Sequence, residues 1–66
     1  MEELQATVII AIAACPNVEH RFISAESVRF RFARKEGLEN FLRGISYYQR
    51  LQAVVADLEV IVTYVD

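Results

Sequence analysis

The sequence predicts an α+β fold: a three- or four-stranded, mainly antiparallel sheet covered on one face by one long helix. Three observations point to it. Leu38 to Asp57 keeps a helical period for several turns, Val28 to Ala33 alternates apolar and polar residues, and Leu58 to Val65 alternates as a β-branched run. The element order is β-β-β-α-β, with α-β-β-α-β as the alternative, because one apolar stretch fits both a strand and a helix.

That stretch is Ala6 to Cys15, ATVIIAIAAC, which follows a short polar lead-in. Thr7, Val8, Ile9 and Ile10 are β-branched and favour a strand, whereas the later alanines favour a helix, with a stripe through Leu4, Val8, Ala11, Ile12 and Cys15. Strand is the preferred reading. Pro16 ends the element in either case, and Asn17 suits a turn. Val18 to Ile23 then alternates as a second strand, with Val18, His20 and Phe22 on one face and Glu19, Arg21 and Ile23 on the other. Ser24 to Ser27 is a polar break without the Asn-Gly or Asp-Gly signature of a tight hairpin.

In Val28 to Ala33, the residues Val28, Phe30 and Phe32 share one face and Arg29 and Arg31 the other, which requires one buried and one wet side. The charged segment Arg34 to Gly37 marks a strand-to-helix junction without a Ser, Thr, Asp or Asn cap. Along the helix that follows, Leu38, Phe41, Leu42, Ile45, Tyr48, Val55 and Ala56 form a core-facing stripe. Leu58 to Val65 closes the sheet, and a right-handed crossover would set it parallel to the third strand. No internal repeat is visible.

The 66 residues are expected to form one domain, 1–66, with a small core, since a chain of this length buries only about 60% of its unfolded surface. Hydrophobic residues nevertheless make up 55% of it, above the roughly 45–50% of an average soluble domain. Part of that excess is expected on a surface buried by association. Other stabilisers of small folds are lacking: Cys15 has no second cysteine, and Cys15 with His20 cannot supply four zinc ligands. A reducing, cytoplasmic setting is expected. Acidic Glu2 and Glu3 stand where a secretory signal is positive, and the apolar run is too short to span a bilayer, so no membrane role is anticipated. With seven Lys and Arg against nine Asp and Glu, net charge is −2, which gives no general attraction to nucleic acid.

Two surfaces stand out. Tyr47, Leu51 and Val54 recur at i, i+4 and i+7 beside the core stripe of the expected helix, with Gly44 on their flank. Glycine inside a helix costs about 1 kcal/mol relative to alanine and suggests close approach of another backbone. Gly44, Tyr47, Leu51 and Val54 are therefore the candidate protein interface. Arg21, Arg29 and Arg31 form the best basic cluster, on one sheet face if their strands are neighbours, and arginine forks suit phosphate or carboxylate. They are the candidate contacts for an anion or nucleic acid.

The segment VRFRFARKEGLENFL, Val28 to Leu42, superficially resembles the third strand and following helix of an RNA-recognition motif. That likeness covers barely a quarter of the chain. It lacks the family's signature glycine, and its phenylalanines share a face with Val28, which suits a core better than a base-stacking platform.

Catalytic constellations are not apparent. His20 shares a face with Val18 and Phe22 and is read as a partly buried, hydrogen-bonded imidazole; no acid is placed to orient it. Cys15 lies among apolar residues that disfavour its thiolate, and only Gly37 and Gly44 are available for any phosphate loop. The expectation is a non-enzymatic, cofactor-free interaction module that forms homo-oligomers, a dimer first, and serves as a subunit, adaptor or inhibitor of a larger partner. The alternative is nucleic-acid or anionic-ligand binding through the arginine face.

Overall fold

The first apolar run is a helix, and this decides the architecture. In the computed structural model, which describes residues 2–65, the elements are α1 (Glu2–Ala14), β1 (Glu19–Ser24), β2 (Ser27–Arg31), α2 (Lys35–Ile45), β3 (Leu51–Ala56) and β4 (Glu59–Tyr64). The preferred strand at Ala6 to Cys15 is thereby corrected. Each β-branched residue costs a helix well under about 1 kcal/mol, and helix formation buries Leu4, Thr7, Ala11 and Cys15 along one side. Thr7 satisfies its buried hydroxyl by donating to the Leu4 carbonyl within the same helix.

The expected long helix from Leu38 to Asp57 does not form either. Helix α2 stops at Ile45, where the Ser46 N–H and hydroxyl both donate to the Arg43 carbonyl and Tyr48 N–H donates to Ile45. After a turn the chain enters β3, which hydrogen-bonds to β4 from Leu51 opposite Tyr64 to Ala56 opposite Glu59. Asp57, with φ 59°, occupies the left-handed region in the two-residue turn between them, a conformation that Asp tolerates better than most residues. Adjacent Val54 and Val55 suit this hairpin.

The sheet order is β1-β2-β4-β3, and every neighbouring pair is antiparallel. Strand β4 therefore runs antiparallel to β2, contrary to the expected crossover, because β3 reverses the chain between α2 and β4. One face of the sheet carries two helices, where one was expected, and the other carries none. Between the layers lie Val28, Phe30 and Phe32 from the β2 side, Val60 and Val62 from β4, and Leu38, Phe41 and Ile45 from α2. Phe41 is the hub, its ring centroid 4.8 Å from Phe30 and 5.2 Å from Phe32 in tilted geometries.

Helices α1 and α2 pack antiparallel and close. A Cβ on Gly37 would stand 2.9 Å from Cys15 Cβ, and one on Gly44 would stand 2.8 Å from Ile10 Cγ2. Gly44 does mark a close approach, but to the chain's own first helix. The α-β-β unit thus occurs twice, with β3 beginning 32 residues after β1 and β4 beginning 32 residues after β2 (51 − 19 and 59 − 27). The sequence conceals this repeat, since Val28 and Val60 are the one identical pair at that displacement. A bulge between Phe22 and Ser24 breaks the register of the first hairpin, while the second is unbroken.

Candidate interaction surface

Strand alternation and the pairing register order the helix-free face into cross-strand rows. The central row runs Arg21, Arg29, Ile61, Val54 from β1 to β3. Beside it lies Glu19, Arg31, Glu59, Ala56. On the other side Ser27 and Thr63 share a hydroxyl hydrogen bond of 3.0 Å, with Gln52 next to Thr63. The face is consequently cationic over β1 and β2, while over β4 and β3 apolar Ile61, Val54 and Ala56 alternate with Glu59, Thr63 and Gln52.

Arg21, Arg29 and Arg31 do come together, as the alternation of their strands required. Their surroundings differ, however. Arg31 stands directly opposite Glu19 on one side and Glu59 on the other, whereas Arg21 stands directly opposite Arg29, a like-charge pair that disfavours the fold. A shallow concavity of about 420 Å³ is lined by these three arginines with Glu19, His20 and Glu59. Its two carboxylates oppose an anion. The part of this surface best suited to phosphate is therefore the Arg21–Arg29 pair, since Arg31 has a carboxylate residue opposite it on each neighbouring strand.

The residues expected to form one helical stripe are dispersed. Tyr47 lies in the turn after α2 and is 86% exposed; Leu51 points to the helix side of the sheet and packs against the core; Val54, 66% exposed, faces the opposite side beside Ile61. Gly44 is half-buried against α1. A helical spacing of i, i+4 and i+7 has no meaning once the chain turns at Ser46 and extends from Leu51, so these four residues make no common patch. Val55 and Ala56, expected in the core, are exposed on the edge strand.

Apolar residues are exposed in other places instead. The helices cover the central strands, leaving all of edge strand β1 and all of edge strand β3 except Leu51 exposed. Edge strand β3 reads LQAVVA, without charge and without a bulge, and five of its six residues are exposed. Edge strand β1 reads EHRFIS, with Glu19, His20 and Arg21 and the bulge at its end. Charge and irregularity of that kind protect an edge from further pairing. Helix α1 adds a second apolar area, because Ile9, 70% exposed, and Ile12 project away from the buried side. A helix that is apolar all round normally has cover on all sides.

The signals for these features were present but ambiguous. An uncharged run with two adjacent valines, closed by Asp57 and followed by a second β-branched run, is a hairpin pattern that the helical spacing masked.

His20, expected to be partly buried, is exposed, because β1 is an edge and its ring reaches only the rim of the aromatic core, 6.3 Å from Phe30. Cys15 is 8% exposed and unpaired with another cysteine, against a shallow cleft of about 290 Å³ at the start of α2. The Arg50 guanidinium donates to Tyr64 Oη at 3.2 Å, and its pKa is raised by that bond first, then by the fields of Tyr64 and Glu3. The hydrogen bond ties the start of β3 to the end of β4. Among the described residues no group of three or more His, Cys, Asp or Glu is disposed to hold a metal, and no helix is long and apolar enough to cross a membrane. No family model matches the chain, and neither a curated protein nor a solved structure matches it significantly.

Proposed function

We propose that this chain is a cytoplasmic, self-associating interaction module that acts by binding, without catalysis, as a subunit, adaptor or inhibitor of a larger protein. One observation carries the reading: two helices cover only the central strands, so an uncharged apolar edge and the outer side of α1 remain open. Open apolar surface of this kind is characteristic of chains that bury it against another polypeptide. The test is the mass in solution from low to high micromolar concentration, by light scattering or native mass spectrometry. An assembly is expected, and a stable monomer throughout that range rejects the proposal.

A second reading has a specific observation behind it. Arg21 and Arg29 stand directly opposite each other, and an anion between two guanidinium groups relieves their repulsion. This supports an anionic-ligand or nucleic-acid contact through Arg21 and Arg29, with Arg31 alongside. A salt-sensitive gel shift with RNA or DNA that disappears in Arg21→Ala and Arg29→Ala is its expected outcome. No shift at low salt removes it.

A further inference from the structure

We propose that β3 pairs antiparallel with β3 of a second copy, joining two four-stranded sheets into one of eight strands with all four helices on the same side. This deepens the self-association proposed above and rests on it. The first argument is where the backbone points. Tyr64 N–H donates to the Glu26 carbonyl and Phe32 N–H to Leu58, so alternate β4 residues 58, 60, 62 and 64 turn their backbone groups towards β2. Val65 N–H donates to Arg50, in keeping with that alternation on the β3 side. Gln52, Val54 and Ala56 then pair with β4, and Ala53 and Val55 direct their N–H and C=O outward from the sheet edge. An unpaired ladder of this kind is a template for another strand.

The second argument is why the occupant is another copy and why pairing stops at two. Arg50 precedes the strand and Asp57 follows it, with no charge between. Antiparallel self-pairing brings the Arg50 end of each copy to the Asp57 end of the other, whereas parallel pairing sets like charges together. Each chain has one uncharged, regular edge, the other being charged and bulged. A single self-complementary edge closes about a twofold axis and does not propagate.

The third argument fixes the register. Side chains on matching faces must meet, so residues of equal parity stand opposite one another. With Val54 on the axis, valine meets valine and Gln52 meets Ala56. Placing Ala53 on the axis would instead set the 66% exposed Val54 against Gln52.

The test combines an edge block with a cross-link. Ala53→Pro removes a donor that the β3–β4 ladder does not use, and it is expected to convert a two-chain mass to a one-chain mass with an unchanged far-UV spectrum. In a Cys15→Ala background, Val54→Cys is expected to form an intermolecular disulfide under oxidised glutathione, since facing residues of a non-hydrogen-bonded antiparallel pair have Cα atoms about 4.5 Å apart. Ala56→Cys, four residues out of register with its own copy, is expected to remain reduced. If Ala53→Pro unfolds the chain, the pair of cysteine variants decides. A two-chain mass that persists in folded Ala53→Pro, with no Val54→Cys cross-link, overturns edge pairing while self-association through another face stands. A one-chain mass for the unaltered protein at every concentration overturns both, and is also the result if the edge serves a foreign strand.

Discussion

Alanine at position 44 should destabilise this protein, although at an ordinary helix position it would do the reverse. Replacing an exposed helical glycine by alanine gains about 1 kcal/mol. Here the new Cβ would stand 2.8 Å from Ile10 Cγ2, closer than two carbon atoms can approach. That methyl belongs to a β-branched side chain with one strongly preferred rotamer in a helix, so α1 as a whole must move away. Overpacking of this sort costs about 1–3 kcal/mol. The balance is a net loss of about 1 kcal/mol, or about 4–8 °C in Tm for a domain of this size. Removing the obstructing methyl by Ile10→Ala should reverse the sign, so that Gly44→Ala in that background stabilises by about 1 kcal/mol, a coupling of about 2 kcal/mol. Urea denaturation followed by far-UV circular dichroism, at one fixed protein concentration, measures all four corners of the cycle. Equal stabilisation by Gly44→Ala in both backgrounds would refute the close packing of α1 on α2.

Three further outcomes follow from the same contacts. Phe41→Ala removes the ring shared by Phe30 and Phe32 at about 3–5 kcal/mol, against a total of roughly 3–10 kcal/mol for a chain of this length; loss of a cooperative melt is expected, and a melt within a few degrees of the parent contradicts it. Asp57, at φ 59°, should accept Gly with no loss, whereas Asp57→Val should cost about 1–2 kcal/mol because a β-branched residue resists the left-handed region; equal melting temperatures would place this turn elsewhere. Arg21→Glu exchanges repulsion for attraction opposite Arg29, so Tm should rise at low salt and the gain should shrink as salt screens it; a fall at low salt would mean that the two side chains do not face each other.

Residue alternation was enough to establish much of the sheet. Val28, Phe30 and Phe32 against Arg29 and Arg31 assigned one strand and both of its faces, and Val18 to Ile23 and Leu58 to Val65 each fall within about a residue of an observed strand. The shared face of Arg21, Arg29 and Arg31 followed from this pattern, and the charged Arg34 to Gly37 segment marked the strand-to-helix junction, where α2 begins at Lys35 without a side-chain cap. The two misread segments failed for opposite reasons. In Ala6 to Cys15 both periods fit, and local propensity favoured the strand by less than packing against α2 and the sheet favoured the helix. In Gln49 to Asp57 a helical spacing was real but accidental.

By itself, then, the sequence determined the class: a small α+β domain, a half-wet central strand, and more apolar surface than so short a chain can bury. Those follow from composition and from the period of two, which depend on each residue and its near neighbours alone. Only the tertiary structure decided that β3 exists, because β4 needs a partner 51–56 to complete its ladder, and that this partner lies at the edge. Burial of the helices over the central strands is what leaves that edge open. Whether an apolar strand is core or surface depends on what the rest of the chain can reach, a property no local pattern contains.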